Sequence, residues 1–457
     1  MKLISTNPSK NFERIGDATV STEEEVAQKV ALAREAFPSW AGIGLDGRIK
    51  HIKKLIAAFD TKKKDLSALM SQEMGMPILQ AADDLIYGIE FFLWYCDHAH
   101  ESLDPETTYE DEKELHQVFR EPRGVVAAIV PWNFPFSNFV WQVGQNLVCG
   151  NTIVFKHSEE TPLFGKAIED IVRGADLPAG VFNEVCGAGK VGDALVHQDV
   201  DMICFTGSTK VGQYLYTVAA KKMIPILMEL GGSAPGIVFE DADINAVIGT
   251  IYNNRFMNCG QICDGLKRLM VHESRFDEVV AKLKKIIERK VIGDAEKKTT
   301  DIGPLVAKRQ LELLEEQVTD AVNKGATIVT GGGKPEDLKG AYYLPTILTD
   351  ITKNMRVWSE EVFGPVLPVI PFESEAQAIR MANHTQYGLG GYIFTESSER
   401  FDRVAAQLKT GMVSQNNVSY VKASNPFGGY KKSGLGREHG TYGFHELTQV
   451  KVISKTK

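Results

Sequence analysis

Two different periods of apolar residues divide the chain. Over the first hundred residues the apolar positions recur at helical spacing. Val26, Val30, Ala33 and Phe37 follow Thr22, and Glu25 stands three residues after that threonine, as in a capping box that closes a helix N-terminus. Ile49, Ile52, Ile56 and Phe59 mark a second helix running out of Leu45-Asp46. From Val125 the period changes. Residues 125–130 form a short continuous apolar run between Gly124 and Pro131, the pattern of a strand buried on both faces. Strands at 152–156, 182–186 and 202–205 follow, each succeeded by a stretch of helical pattern. After Gly231-Gly232 the alternation resumes with strands at 234–239 and 268–272, helices at 243–257 and 276–290, and later strands at 326–329, 366–371, 391–394 and 411–415. Strand–helix alternation predicts βαβ units on parallel sheets, hence an α/β fold of two such domains joined near residues 229–232. Residues 115–120 and 448–454 look extended but fit neither domain. They read as exposed edges able to pair with another subunit.

Composition narrows the function. The 457 residues suit roughly three domains at ~150 residues each. A net charge of −8 argues against nucleic acid or an anionic membrane surface as partner, since both select basic proteins. No run of apolar residues is long enough to span a bilayer and the first residues lack signal-peptide character, so a cytoplasmic protein is expected. The six cysteines, at 96, 149, 186, 204, 259 and 263, are sparse and form no CxxC, which suits a reducing compartment. No Cys/His cluster has metal-ligand spacing, so no metal is expected.

Several short motifs carry chemistry. Gly187-Ala188-Gly189-Lys190-Val191-Gly192 follows a strand and opens a helix, but lacks a convincing acidic residue at the next strand end. Both a structural turn and a pyrophosphate contact are readings of it. Phe205-Thr206-Gly207-Ser208 is a strand end leading into a helix, where free N–H groups attract phosphate; Ser208 is a contact or an ordinary cap. Lys156 and Glu159, in Lys156-His157-Ser158-Glu159, sit at another strand's carboxyl end and suit ribose hydroxyls, with solvated loop charges as the alternative. Cys263 follows Gly260 in a tight segment, and Glu229 follows an apolar run ahead of Leu230-Gly231-Gly232. A thiol with its usual pKa near ~8.5 is mostly protonated at neutral pH, so a nucleophilic Cys263 needs help from its surroundings. A partly desolvated Glu229 has the raised pKa of a base working near neutrality.

Taken as a set, Pro131-Trp132-Asn133-Phe134-Pro135, Phe205-Thr206-Gly207-Ser208, Glu229-Leu230-Gly231-Gly232, Gly260-Gln261-Ile262-Cys263, Glu361-Val362-Phe363-Gly364-Pro365 and Pro426-Phe427-Gly428-Gly429-Tyr430-Lys431-Lys432-Ser433-Gly434 resemble the aldehyde dehydrogenase superfamily in order and spacing. The resemblance implies two Rossmann-like parallel-sheet domains and a small β oligomerisation flap: a NAD-binding domain at 1–103 and 122–230, a catalytic domain at 231–435, and the flap at 104–121 and 436–457. It makes Cys263 the nucleophile, Asn133 an oxyanion donor, Glu229 the base that activates water and Glu438 a second, relaying carboxylate. Ile129, Trp132, Lys156, Glu159, Gly207, Ser208, Leu230, Glu361 and Phe363 match cofactor positions. Glu159 would repel a 2′-phosphate, so NAD is expected, with NADP as the alternative. A homodimer or homotetramer acting on a small-molecule aldehyde is implied. His157, where proline is usual, and the Lys267-Arg268 pair depart from the family pattern.

The substrate reading rests on three positions. Arginines that acidic aldehydes commonly meet in the family are replaced here by Trp141 and Met257. With Phe136 these suggest an apolar funnel for a neutral aliphatic or aromatic aldehyde. Succinate semialdehyde is the alternative. A CoA-acylating relative needs no water-activating Glu229, and a silent scaffold needs none of Cys263, Glu229 and Asn133.

Overall fold

The computed structural model describes residues 1–457. Helices Glu23–Gly42, Gly44–Met74 and Ile78–Asp97 fill the first hundred residues. The expected capping box is present: Thr22 Oγ1 accepts from Glu25 N at 3.2 Å, and Glu25 Oε2 accepts from Thr22 N at 2.8 Å. The hairpin Lys2–Asn7 with Glu13–Thr19, which precedes these helices, was not expected.

Five parallel strands form the centre of the first sheet. Their order is Ile226–Glu229, Met202–Thr206, Val125–Ile129, Thr152–Lys156 and Phe182–Val185. The register pairs Ile129 with both Lys156 and Phe205, and Thr206 with Glu229, so the carboxyl ends are level. The central strand Val125–Ile129 is buried throughout, as its uninterrupted apolar run requires. Gly434–Leu435 adds an antiparallel edge beyond Ile226–Glu229, so this piece of the second half of the chain is hydrogen-bonded into the first sheet.

The second sheet runs Thr327–Thr330, Thr346–Thr349, Val366–Phe372, Leu266–His272, Ala234–Val238, Tyr392–Phe394 and Ser414–Gln415. Only Thr327–Thr330 is antiparallel to its neighbour. The third sheet joins Thr448–Thr456 to Glu114–Pro122, and that strand to Glu106–Glu110. The two stretches read as edges seeking another subunit thus pair with each other first, Thr448 opposite Pro122. The outer edge of Thr448–Thr456 stays bare, with Val450 and Val452 about 60% exposed. No helix is long and apolar enough to cross a membrane.

Candidate active site

The level strand ends of the first sheet open onto a cavity of about 1040 Å³, which helices and loops from the second half of the chain also line. Crevices at the carboxyl ends of parallel strands are where open α/β sheets bind ligands. Of the residues singled out in the sequence, Asn133, Glu229 and Cys263 line this cavity. So do Trp132, Gly207, Ser208, Leu230, Glu361 and Phe363, and also Trp141 and Met257. Ile129, Lys156 and Glu159 lie beyond its wall, on neighbouring strand ends. Lys156 is buried, donates from Nζ to the His157 carbonyl at 2.8 Å and stands 3.7 Å from the Glu159 carboxylate. Phe136 is a correction to the funnel. It is fully buried against Phe59, with ring centroids 5.1 Å apart, and does not line the cavity. The short helix Pro135–Phe139 turns it into the helical layer, whereas Trp141, farther along, returns to the cavity.

Cys263 follows a strained turn. Asn258 and Cys259 hold left-handed backbone (φ 49° and 55°) ahead of Gly260 (φ 71°). A Cβ on Gly260 would stand 2.3 Å from the Gly364 carbonyl, so only glycine lets the turn pack there. Asn258 N donates to Gln80 Oε1 at 2.8 Å, and Asn258 Nδ2 donates to the Asn133 carbonyl at 2.6 Å. Asn133 in turn donates through Nδ2 to the Gln261 carbonyl at 3.0 Å. An amide nitrogen carries two hydrogens, so one Asn133 N–H stays available in the cavity that Cys263 also lines. The Cys263 backbone N–H has no backbone partner. Burial raises the Cys263 thiol well above its usual pKa, and the adjacent Asp264 raises it further, while Lys267 acts the other way.

Glu229 ends its strand, and both carboxylate oxygens are buried without a hydrogen-bond partner. Glu438 lies nearby, its side chain accepting from Gln142 Nε2 and its backbone paired with Phe427 at 2.8 Å in both directions. Burial raises the pKa of both carboxyls, and the Glu438 charge pushes Glu229 further up against a smaller opposing pull from Arg437. Two buried carboxyls that repel each other retain a proton between them near neutrality, the state from which a base can cycle.

Lys267, noted in the sequence only as a departure, proves central. Its Nζ is buried, donates to the Gly232 carbonyl at 3.0 Å and to the Cys263 carbonyl at 3.1 Å, and pairs with Glu361. Glu361 also accepts from Gly232 N at 3.0 Å. One ammonium therefore ties the interdomain segment, the nucleophile's backbone and a carboxylate of the opposite wall. A Cβ on Gly232 would lie 2.4 Å from the Cys263 carbonyl, so glycine permits this close approach. Ser208 caps the helix Thr209–Lys222, accepting from Val211 N at 3.4 Å, while Gly207 and Ser208 both face the cavity. Gly187–Gly192 does not line the cavity itself; a Cβ on Gly187 would meet Val191, and one on Gly192 would lie 3.3 Å from the Lys156 side chain.

Sequence reasoning missed Gln80, whose helical partner across the fold is the nucleophile turn, and His439. His439 is fully buried, bonds Tyr95 Oη through Nδ1 at 2.6 Å, and packs 4.6 Å from the Trp141 ring centroid. Burial lowers its pKa to about 3, so it is a neutral spacer behind the wall. His157, Glu184 and Cys186 also converge, though no spacing rule joins them. His157 Nε2 and Glu184 Oε1 stand 2.7 Å apart in a buried pair beside the Cys186 thiol.

Comparison with known proteins agrees with this geometry. The model of the aldehyde dehydrogenase family matches residues 2–453. The chain is 37% identical over 458 residues to the mitochondrial succinate-semialdehyde dehydrogenase of Oryza sativa subsp. japonica, covering 99% of this chain and 86% of that protein. It is 37% identical over 474 residues to the peroxisomal aminoaldehyde dehydrogenase 1 of Pisum sativum, covering 99% and 92%. The NAD+ complex of an aldehyde dehydrogenase from Bacillus cereus superposes with a TM-score of 0.96 at 34% identity, covering 100% of this chain and 93% of that one. Cavity, thiol, carboxylate and sheet order converge with these likenesses on one conclusion: the chain belongs to the aldehyde dehydrogenase family.

Proposed function

We propose that the protein oxidises an aldehyde to its carboxylic acid with NAD+ and water, through a covalent intermediate on Cys263. The observation that carries this reading is the placement of the Cys263 thiol in one cavity with Glu229, a buried carboxylate left without any hydrogen-bond partner. The residues fit a dinucleotide: Gly207-Ser208 line the cavity where the helix Thr209–Lys222 begins, a helix start whose first N–H groups lack intrahelical partners, and Glu361 offers a carboxylate to ribose hydroxyls. Trp132 and Phe363 meet edge to face at 5.6 Å to form an aromatic border. Lys156 and Glu159 extend the same sheet edge toward an adenosine ribose, and the Glu159 charge favours NAD over NADP. The bound nicotinamide would accept the hydride.

In this mechanism the Cys263 thiol gives its proton to ionised Glu229, the resulting thiolate attacks the aldehyde carbon, and the carbonyl electron pair moves to oxygen. The free Asn133 N–H and the Cys263 backbone N–H stabilise that oxyanion. Loss of hydride from the captured carbon restores the carbonyl as a thioester. Glu229 then takes a proton from water, the hydroxide adds to the thioester carbon, and collapse expels the thiolate with the acid. Between the two steps Glu229 gives up the thiol's proton to solvent, and the Glu438 charge sets how firmly that proton is held. The substrate end lacks arginine and is walled by Trp141, Phe427 and Tyr87, which favours a substrate without a carboxylate. Glu229 disfavours a CoA-acylating reaction, which has no water to activate.

The domain boundaries expected above, the flap as an assembly surface for a homodimer or homotetramer, and a cytoplasmic location complete the proposal. The boundaries and the assembly surface are supported by the three sheets and by the bare apolar edge of the C-terminal strand. The test is NADH formation followed by absorbance with propanal, hexanal, benzaldehyde and succinate semialdehyde. Cys263→Ala is expected to abolish turnover while NAD+ binding persists; undiminished turnover would refute the assignment.

A further inference from the structure

Two adjacent strand ends bring three ligating side chains together outside the catalytic cavity. Lys156 and Val185 are the last register pair of the strands Thr152–Lys156 and Phe182–Val185, so His157 and Cys186 leave the sheet side by side. Glu184 stands two residues before Cys186, and side chains two apart on a strand share a face. One imidazole nitrogen, one carboxylate oxygen and the thiol sulfur of this trio accordingly lie within 4.8 Å of one another. All three residues are buried, and none of them lines the cavity.

The imidazole is held in one orientation. Its Nδ1 lies 3.0 Å from the Ser158 carbonyl, which only accepts, so Nδ1 carries a hydrogen. Gly165 makes room for the ring: a Cβ there would stand 2.0 Å from His157 Cδ2. Nε2 is thereby aimed at Glu184 Oε1, 2.7 Å away. An ionised carboxylate also only accepts, so these two atoms need a cation between them, either a proton or a metal ion. A histidine that donates its other ring N–H to a backbone carbonyl is oriented as metal-bound histidines are. Cys186 is anchored through its backbone, donating to Ser21 Oγ at 3.1 Å and accepting from Ser21 N at 2.8 Å. Two ammonium groups act on this neighbourhood, and each has a carboxylate of its own: Lys156 is 3.7 Å from Glu159, and Lys166 pairs with Glu169. The Glu184 carboxylate and a Cys186 thiolate are then two negative charges that match a divalent cation.

We propose that His157, Glu184 and Cys186 form a binding site for a divalent transition-metal ion, zinc above all. Imidazole with thiolate suits zinc, whereas magnesium and calcium take oxygen donors. Tetrahedral bonds of ~2.0–2.1 Å place Nε2 and Oε1 roughly 3.3 Å apart, so binding widens the present gap of 2.7 Å by about 0.6 Å. Uptake releases the thiol proton and the proton held between Nε2 and Oε1. Water takes the fourth position. The ion fastens the ends of two neighbouring strands, and the proposal assumes nothing about aldehyde chemistry.

The experiment uses the full chain without an affinity tag, carrying Cys263→Ala so that the cavity thiol contributes nothing. The protein is stripped with a chelator and titrated with Zn2+ and, as a coloured substitute, Co2+. One ion per chain is expected, with thiolate-to-cobalt charge-transfer absorption that saturates at one equivalent and is not displaced by excess Mg2+. X-ray absorption of the zinc form is expected to show one sulfur at ~2.3 Å beside nitrogen and oxygen neighbours at ~2.0–2.2 Å. Adding Cys186→Ser is expected to abolish the charge-transfer band and weaken Zn2+ binding on the order of a hundredfold. If that variant does not fold, the parent spectrum decides, because one sulfur with one imidazole is the donor set of this trio, the only group of three such ligands in the molecule. No uptake of Zn2+, a bound ion without a sulfur neighbour, or equal affinity in Cys186→Ser would overturn the proposal and leave a proton alone between His157 and Glu184. Turnover is not read in any arm, so aldehyde oxidation stands or falls separately.

Discussion

Replacing Lys267 by methionine is the most informative single perturbation of the cofactor half. Methionine nearly preserves the length of the side chain and removes only the ammonium. The Gly232 and Cys263 carbonyls, at 3.0 and 3.1 Å, lose their donor, and Glu361 keeps only the bond from Gly232 N at 3.0 Å. Removing one member of a buried ion pair costs about 3–5 kcal/mol when the survivor is sealed in. Glu361 is 20% exposed to the cavity, where water reaches it, so the lower end of that range applies. A second cost falls on binding. A carboxylate aimed at a ribose makes a charged hydrogen bond worth about 1.5–3 kcal/mol, and an unanchored Glu361 forfeits most of it. At about 1.4 kcal/mol per decade, KM for NAD+ rises on the order of tenfold to a hundredfold. Steady-state kinetics at saturating aldehyde read this directly, with a thermal melt alongside. Arginine at 267 retains the charge but not the room, and is expected to rescue KM only in part. An unchanged KM for NAD+ in Lys267→Met, in a protein that melts at the same temperature, would refute the clamp.

Other consequences follow from the same geometry. Asn133→Ala removes one oxyanion donor and should lower kcat on the order of 10²–10³-fold with little change in KM for NAD+; equal rates would remove Asn133 from the mechanism. Glu438→Gln deletes the like charge that lifts Glu229, so the alkaline-rising limb of the pH–rate profile should move to lower pH; a limb that stays put would uncouple the two carboxyls. His157 is lowered by burial but raised more by Cys186 and Glu184, to about 9. Since that lies above its unfolded value near 6.5, the pair's stabilisation is complete below about pH 6.5 and is lost as pH rises through about 9. Glu184→Gln should therefore cost about 3 kcal/mol at pH 6 and clearly less at pH 10; equal losses in thermal melts at both values would contradict a charged pair.

The parallel strands were legible because a strand covered on both faces carries an unbroken apolar run, as Val125–Ile129, residues 153–155 and residues 202–205 do. The hairpin Lys2–Asn7 with Glu13–Thr19 was not, because its mostly part-exposed residues carry neither an apolar run nor a clean alternation. The chemical residues stood out through motif spacing, which fixes backbone position but not side-chain direction. That is why Trp141 reached the cavity and Phe136 did not. Contacts between distant segments left no local trace. Lys267 with Glu361, Gln80 with Asn258 and His157 with Glu184 exist only once the chain has folded.

The covalent role of one thiol underlies the whole account, and trapping the intermediate tests it most directly. Glu229→Gln keeps the side chain's shape but cannot accept a proton from water, so the thioester formed from aldehyde and NAD+ should persist. Mass analysis of the quenched and digested protein is expected to find the acyl group on the peptide containing Cys263, in a burst matched by one NADH per site. Acyl label on another side chain, or a full burst of NADH without any label on Cys263, would contradict it.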